Sequence, residues 1–133
     1  MKQDLANRQN QLSSLVIQML SKQAGTSKLA DMFSPQNLMN VSAMDIAKAK
    51  EDISEDGFWG VKQTSQRLFN FACALAGDDV EKMKMMQAAI EKGYMQATKS
   101  WGQELPGICK DTMAAVNKLF DGYYASKSAG ENQ

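Results

Sequence analysis

Apolar residues along this chain return at steps of three and four almost from end to end. Between Gln3 and Gln23 the set is Leu5, Leu12, Leu15, Val16, Met19 and Leu20, with Asn, Gln, Arg and Ser filling the other side. That spacing predicts an amphipathic helix over residues 1–25, stopped by Gly25 and Thr26. Ser34-Pro35 pairs a capping residue with a proline suited to the first helical position, so a second helix is expected from there or from Ser42. It runs through Met44, Ile46, Ala47 and Ala49 to about Glu51. Val61, Leu68, Phe69, Phe71, Ala72 and Leu75 mark a third helix over 60–76, with Gly77 as its C-terminal cap. Asp78 followed by Glu81 resembles a capping box, opening a fourth helix to about Trp101 on the stripe Met83, Met86, Ile90, Tyr94, Ala97 and Trp101. Leu105-Pro106-Gly107 breaks the chain. Ile108, Thr112, Ala115, Val116, Leu119, Phe120 and Tyr123 then form a fifth helix, and the polar tail 126–133 is expected to fray.

No stretch alternates with a strand's period of two. The expectation is an all-α fold: one domain over residues 1–133, a compact bundle of about five helices, with short connections making most neighbours antiparallel. Gly93 in the fourth helix costs about 1 kcal/mol relative to Ala, which points to a backbone passing close by, expected from the third or fifth helix.

Composition narrows the chemistry. Among 133 residues, 15 Lys and Arg balance 15 Asp and Glu, and no basic stripe suited to a phosphate backbone appears, so nucleic acid is not an expected partner. The longest apolar runs, at 15–20 and 71–76, fall far below the roughly 20 residues of a membrane span. The first residues carry no apolar segment of the secretory kind, and a cytoplasmic location is expected. With no histidine, the chain has no imidazole for acid/base work, nucleophile activation or zinc. Its two cysteines, Cys73 and Cys109, are too far apart in sequence for a C-x-x-C motif. Cys73, among apolar residues, reads as core. Cys109, near a helix start and beside Lys110, is the candidate for reactivity. A disulfide between them is permitted by number but not expected without an export signal.

One loop resembles a calcium site. In an EF-hand the ligands sit at positions 1, 3 and 5, at a carbonyl at 7 and at a bidentate Glu at 12, with Gly at 6. Aligned from Asp52, the stretch 52–63 offers Asp52, Ser54 and Asp56 as metal candidates, Gly57, the Phe58 carbonyl, and Gln63 in the last position. An amide there cannot supply two charged oxygens, so calcium binding would be weak. The competing reading makes Asp56-Gly57 a turn, with Phe58 and Trp59 plugging the core. Elsewhere the carboxylates at 51–56 and 78–79 lie where helix starts favour them, and no convergent set is legible.

Ten methionines suggest either gap-filling or an adaptable binding surface. Met83 and Met86 share the inward stripe with Ile90. Met85 and Met95 do not, and are the interaction candidates. Leu5, Leu12 and Met19, seven apart, offer a seam along which the first helix could pair with a second copy. The chain therefore reads as a non-enzymatic helical interaction or structural module with a protein partner or self-association and no cofactor. The alternative is a weak calcium-binding domain using the loop at 52–63.

The run from Ile53 through the DGFWG turn to Asp79, followed by WGQELPGICKDTMAAV and FDGYY, resembles a bacterial helical domain family of unknown function. The likeness covers about 53–124. It implies a helical fold and a bacterial source, and no activity comes with it. Read physically, Trp59 and Trp101 are expected to anchor the two turns.

Overall fold

A computed structural model describes residues 2–30 and 43–131 of the chain. It contains five helices: α1 (Lys2–Ala30), α2 (Ala43–Asp52), α3 (Val61–Ala76), α4 (Val80–Trp101) and α5 (Gly107–Glu131). Among the described residues there are no strands, and the fold is an all-α bundle. The expected start at Ser34-Pro35 lies outside the described residues, while α2 begins at Ala43.

The core is assembled by the stripes read from the sequence. Leu12, Val16, Leu20 and Ala24 of α1 meet Leu68, Ala72 and Ala76 of α3, Met83, Met86, Ile90 and Ala97 of α4, and Met113, Val116 and Phe120 of α5. Phe120 sets its ring edge-on to Phe69, 5.2 Å between centroids. Fully burying side chains of this size contributes about 1.5–3 kcal/mol each, so the shared core outweighs any surface contact. α2 packs on α1, with Ile46 and Ala49 buried.

Helices joined by short turns run antiparallel, but the most extensive contacts are between parallel ones. Gln9 bonds to Met85, Ser13 to Ala89, and Val16 packs at Gly93, so α1 and α4 ascend together. α3 and α5 likewise descend together and form the second close pair. Gly93 explains the first pair. A Cβ there would lie 2.8 Å from the Ser13 carbonyl oxygen and 2.8 Å from the Val16 Cβ. The backbone close to Gly93 therefore belongs to α1, not to the third or fifth helix.

Helix ends depart from expectation at three places. α1 continues through Gly25 and Thr26 because Ala24 and Ser27 are buried, which outweighs the preference of one exposed glycine. The cap of α4 is Asp79, whose carboxylate accepts from the Lys82 backbone N–H at 3.1 Å. Asp78 turns to α5 instead, where its carboxylate accepts from Tyr123 at 3.2 Å and pairs with Lys127 at 2.5 Å. That bridge helps carry α5 to Glu131, so 126–131 is helical where fraying was expected. Gly77 (φ 67°) and Gly102 (φ 85°) end α3 and α4 at positive φ, which favours glycine, and Gly102 is in the left-handed helical conformation.

Candidate functional site

The loop between α2 and α3 is built from backbone bonds. The Ser54 carbonyl accepts from Gly57 N–H at 2.9 Å, the Gly57 carbonyl from Gly60 at 3.1 Å, and the Asp52 carbonyl from Trp59 at 2.7 Å. Glycine is obligatory at both turns. A Cβ at Gly57 would overlap the Glu51 and Asp52 carbonyl oxygens, and one at Gly60 would overlap that of Ser54.

This geometry does not suit calcium. The Phe58 carbonyl, which a calcium loop would present to the ion, accepts a hydrogen bond from the Arg67 guanidinium, a fixed positive charge. Gln63 uses its NH₂ to donate to the Asp56 carbonyl at 2.6 Å, and its carbonyl oxygen accepts from Arg67 at 3.1 Å. Ser54 Oγ donates to the Glu51 carbonyl at 2.5 Å. Asp52, Ser54 and Asp56 thus decorate a turn that closes on itself. Among the described residues no three or more His, Cys, Asp or Glu side chains stand as a group able to hold a metal. The loop in this arrangement does not present the ligand set that the calcium reading needs.

Phe58 is also not a core plug. It is 55% exposed, lies edge-on to Trp59 at 5.0 Å, and carries the Arg67 guanidinium 3.8 Å above its ring centroid. Trp59 is half-buried, and its carbonyl accepts from Gln23 at 2.9 Å. Gln23, fully buried on α1, also donates to Thr112 Oγ1 on α5 at 2.7 Å. One amide therefore ties the loop to α1 and α5. The sequence signal for it was slight: a glutamine in register with Leu12, Val16 and Leu20 on the buried side.

Cys109 does not take the reactive role expected of it, while Cys73 packs against the core as expected. Cys109 is wholly buried, its thiol 3.5 Å from the Leu20 carbonyl, and burial pushes its pKa up to about 12. It is packing, not a nucleophile. Cys73 is half-buried, its thiol raised by burial and then by the Asp78 charge. Both are free.

Met85 and Met95 stand on the outer side of α4, 37% and 69% exposed. Ala88 and Lys92 lie between them at helical spacing and Lys99 beyond, a face that points away from the buried stripe Met83, Met86, Ile90 and Ala97. A groove of about 390 Å³ crosses this face beside Ala88, Met95 and Lys99. By contrast, the proposed seam on α1 is spent inside the molecule: Leu12 is fully buried and Leu5 and Met19 pack against the core. It cannot also pair with a second copy.

A cleft of about 880 Å³ lies where the start of α4 meets the end of α5, around Asp78, Asp79, Glu81 and Lys127. Asp78 and Lys127 occupy one another there, and Glu81 is 3.6 Å from Lys84. No protein-family model, no curated protein and no solved structure matches this chain. Among the described residues no helix is long and apolar enough to cross a membrane.

Proposed function

We propose that this chain is a non-enzymatic helical interaction module that engages a protein partner through the outer face of α4. The observation that carries this reading is the exposure of Met85 and Met95 on a helix whose opposite side supplies the core. Thioether side chains are unbranched and pliable, and adapt to the apolar face of an incoming helix. Lys92 and Lys99, with Glu91 beside them, edge the methionines, so the partner suited to this face is an amphipathic helix with apolar anchors bordered by charges of both signs.

Three carboxylates are held by neighbouring cations. Asp4 lies 3.1 Å from Arg8, Glu104 pairs with Lys110, and Asp78 pairs with Lys127. Cys109 is inert in the core. Two free thiols suit a reducing compartment, and we place the module in the cytoplasm. A photo-crosslinking amino acid at Met95, with exposed Asn70 on α3 as the control position, tests the surface. A discrete adduct from position 95 alone supports it. Equal labelling from both positions, or none from 95, rejects it.

A further inference from the structure

Methionines with described side chains divide by exposure. Met83 and Met86 are wholly buried, Met113 is 8% exposed, and Met19 packs against the core. Met85 and Met95, at 37% and 69%, meet solvent on the outer face of α4. A thioether is soft and polarizable, and its oxidation to the sulfoxide follows access to the sulfur. An oxidant in water therefore reaches these two sulfurs and not those of Met83, Met86 and Met113.

We infer that Met85 and Met95 are a reversible oxidation site, at which a hydroperoxide switches off the partner surface of α4. The switch rests on the reading of that face as a binding surface, whereas the order in which the methionines oxidise does not. The terminal oxygen of hydrogen peroxide passes to Sδ: the O–O bond breaks, an S–O bond forms, the sulfur loses two electrons, and the peroxide leaves as water. A dithiol reverses the step through the two methionine sulfoxide reductases, taking the oxygen off as water and closing to a disulfide.

The fold tolerates this change and the complex does not. Neither side chain belongs to the core, so in the free chain the new oxygen stays in water. Lys92 and Lys99, three residues before Met95 and four after it, lie at the spacing of helical neighbours and can donate to its sulfoxide oxygen. Pressed against the apolar anchors of an incoming helix, the same oxygen loses its water and gains no donor. Oxidation thus favours the free chain. At Met83 or Met86 it would place an unsatisfied acceptor inside the bundle, and burial keeps the oxidant out.

The test uses the full chain with Cys73→Ala, which removes the half-buried thiol, and a photo-crosslinking amino acid in place of exposed Ala88. Hydrogen peroxide is added in steps and the sulfoxides are located by peptide mapping. Met95 oxidises first and Met85 next, while Met83, Met86 and Met113 stay thioethers and circular dichroism is unchanged. After partial oxidation, sulfoxides at 85 and 95 are depleted about tenfold or more from the crosslinked fraction relative to the free fraction, and sulfoxides elsewhere are shared evenly. The two reductases with a dithiol restore the adduct. Oxidation of Met83 or Met86 in step with Met95, or an even division of the 85 and 95 sulfoxides between the two fractions, overturns the inference. A chain that gives no adduct before peroxide is added rejects the α4 face and the switch with it, a failure distinct from the other two.

Discussion

The Arg67 guanidinium lies 3.8 Å above the Phe58 ring while donating to the carbonyl of that same residue. One side chain thus holds both the ring and the backbone of the loop that precedes α3. Cation–π contacts at exposed sites contribute about 0.5–1 kcal/mol, and a hydrogen bond from a charged donor about 1.5–3 kcal/mol. Arg67→Ala should therefore destabilise the fold by about 2 kcal/mol in urea unfolding. Arg67→Lys should recover little, because a compact ammonium cannot both stack on the ring and fork to Phe58 and Gln63. Full recovery by lysine would mean that charge alone matters there.

Two glycines should respond to alanine in opposite directions. At Gly93 the new methyl would meet the Ser13 carbonyl and Val16, and overpacking of this kind costs about 1–3 kcal/mol. At Gly25, right-handed and with nothing within 4 Å of a built Cβ, alanine should stabilise by about 0.4–1 kcal/mol. Thermal unfolding of the two variants checks both signs. A stabilised Gly93→Ala would contradict the close approach of α1 and α4.

Acid should find Asp78. A hydrogen bond from Lys127, then its charge, then Tyr123, hold the carboxyl below the usual range. A carboxylate depressed in the fold stabilises above its unfolded pKa, about 3.9, and that contribution is lost as pH falls through the lower folded value. Asp78→Asn should therefore show a flatter decline in stability below about pH 4 than the wild type. Superimposable pH profiles would remove the bridge from the account of how α5 reaches Glu131.

Thiol labelling should be biphasic. Cys73 is half-buried and reacts in the native state, whereas Cys109, its pKa pushed up to about 12, is labelled only as fast as the molecule unfolds. Two equal rates under native conditions would show that the start of α5 opens.

Calcium should leave Trp59 fluorescence and the melting temperature unchanged, since Arg67 and Gln63 occupy the carbonyls of the loop. A rise in melting temperature with added calcium would mean that Arg67 is displaced.

The five helices and their inward faces were legible because each core stripe is long and regular, as with Met83, Met86, Ile90 and Ala97. Met85 also read correctly as exposed, since it falls off that stripe. What escaped was decided by tertiary contact. Spacing alone could not tell that Gly93 meets α1, or that Asp78 would leave the cap of α4 to its neighbour Asp79 in order to bind Lys127. The loop at 52–63 shows the same limit: ligand spacing lies in the local sequence, but the guanidinium that donates to the Phe58 carbonyl comes from a full turn beyond the loop, in α3. Cys109 departed from expectation because the sequence places Lys110 beside its thiol without showing that Leu20 covers it.

The face of α4 is tested most directly by replacing Met85 and Met95 together with glutamine. Neither side chain belongs to the core, so stability should stay within about 0.5 kcal/mol of the wild type. At the same time, crosslinking from a reporter at Ala88, between them, should disappear. Loss of stability with the adduct retained would show instead that the two methionines serve the fold and that the partner binds elsewhere.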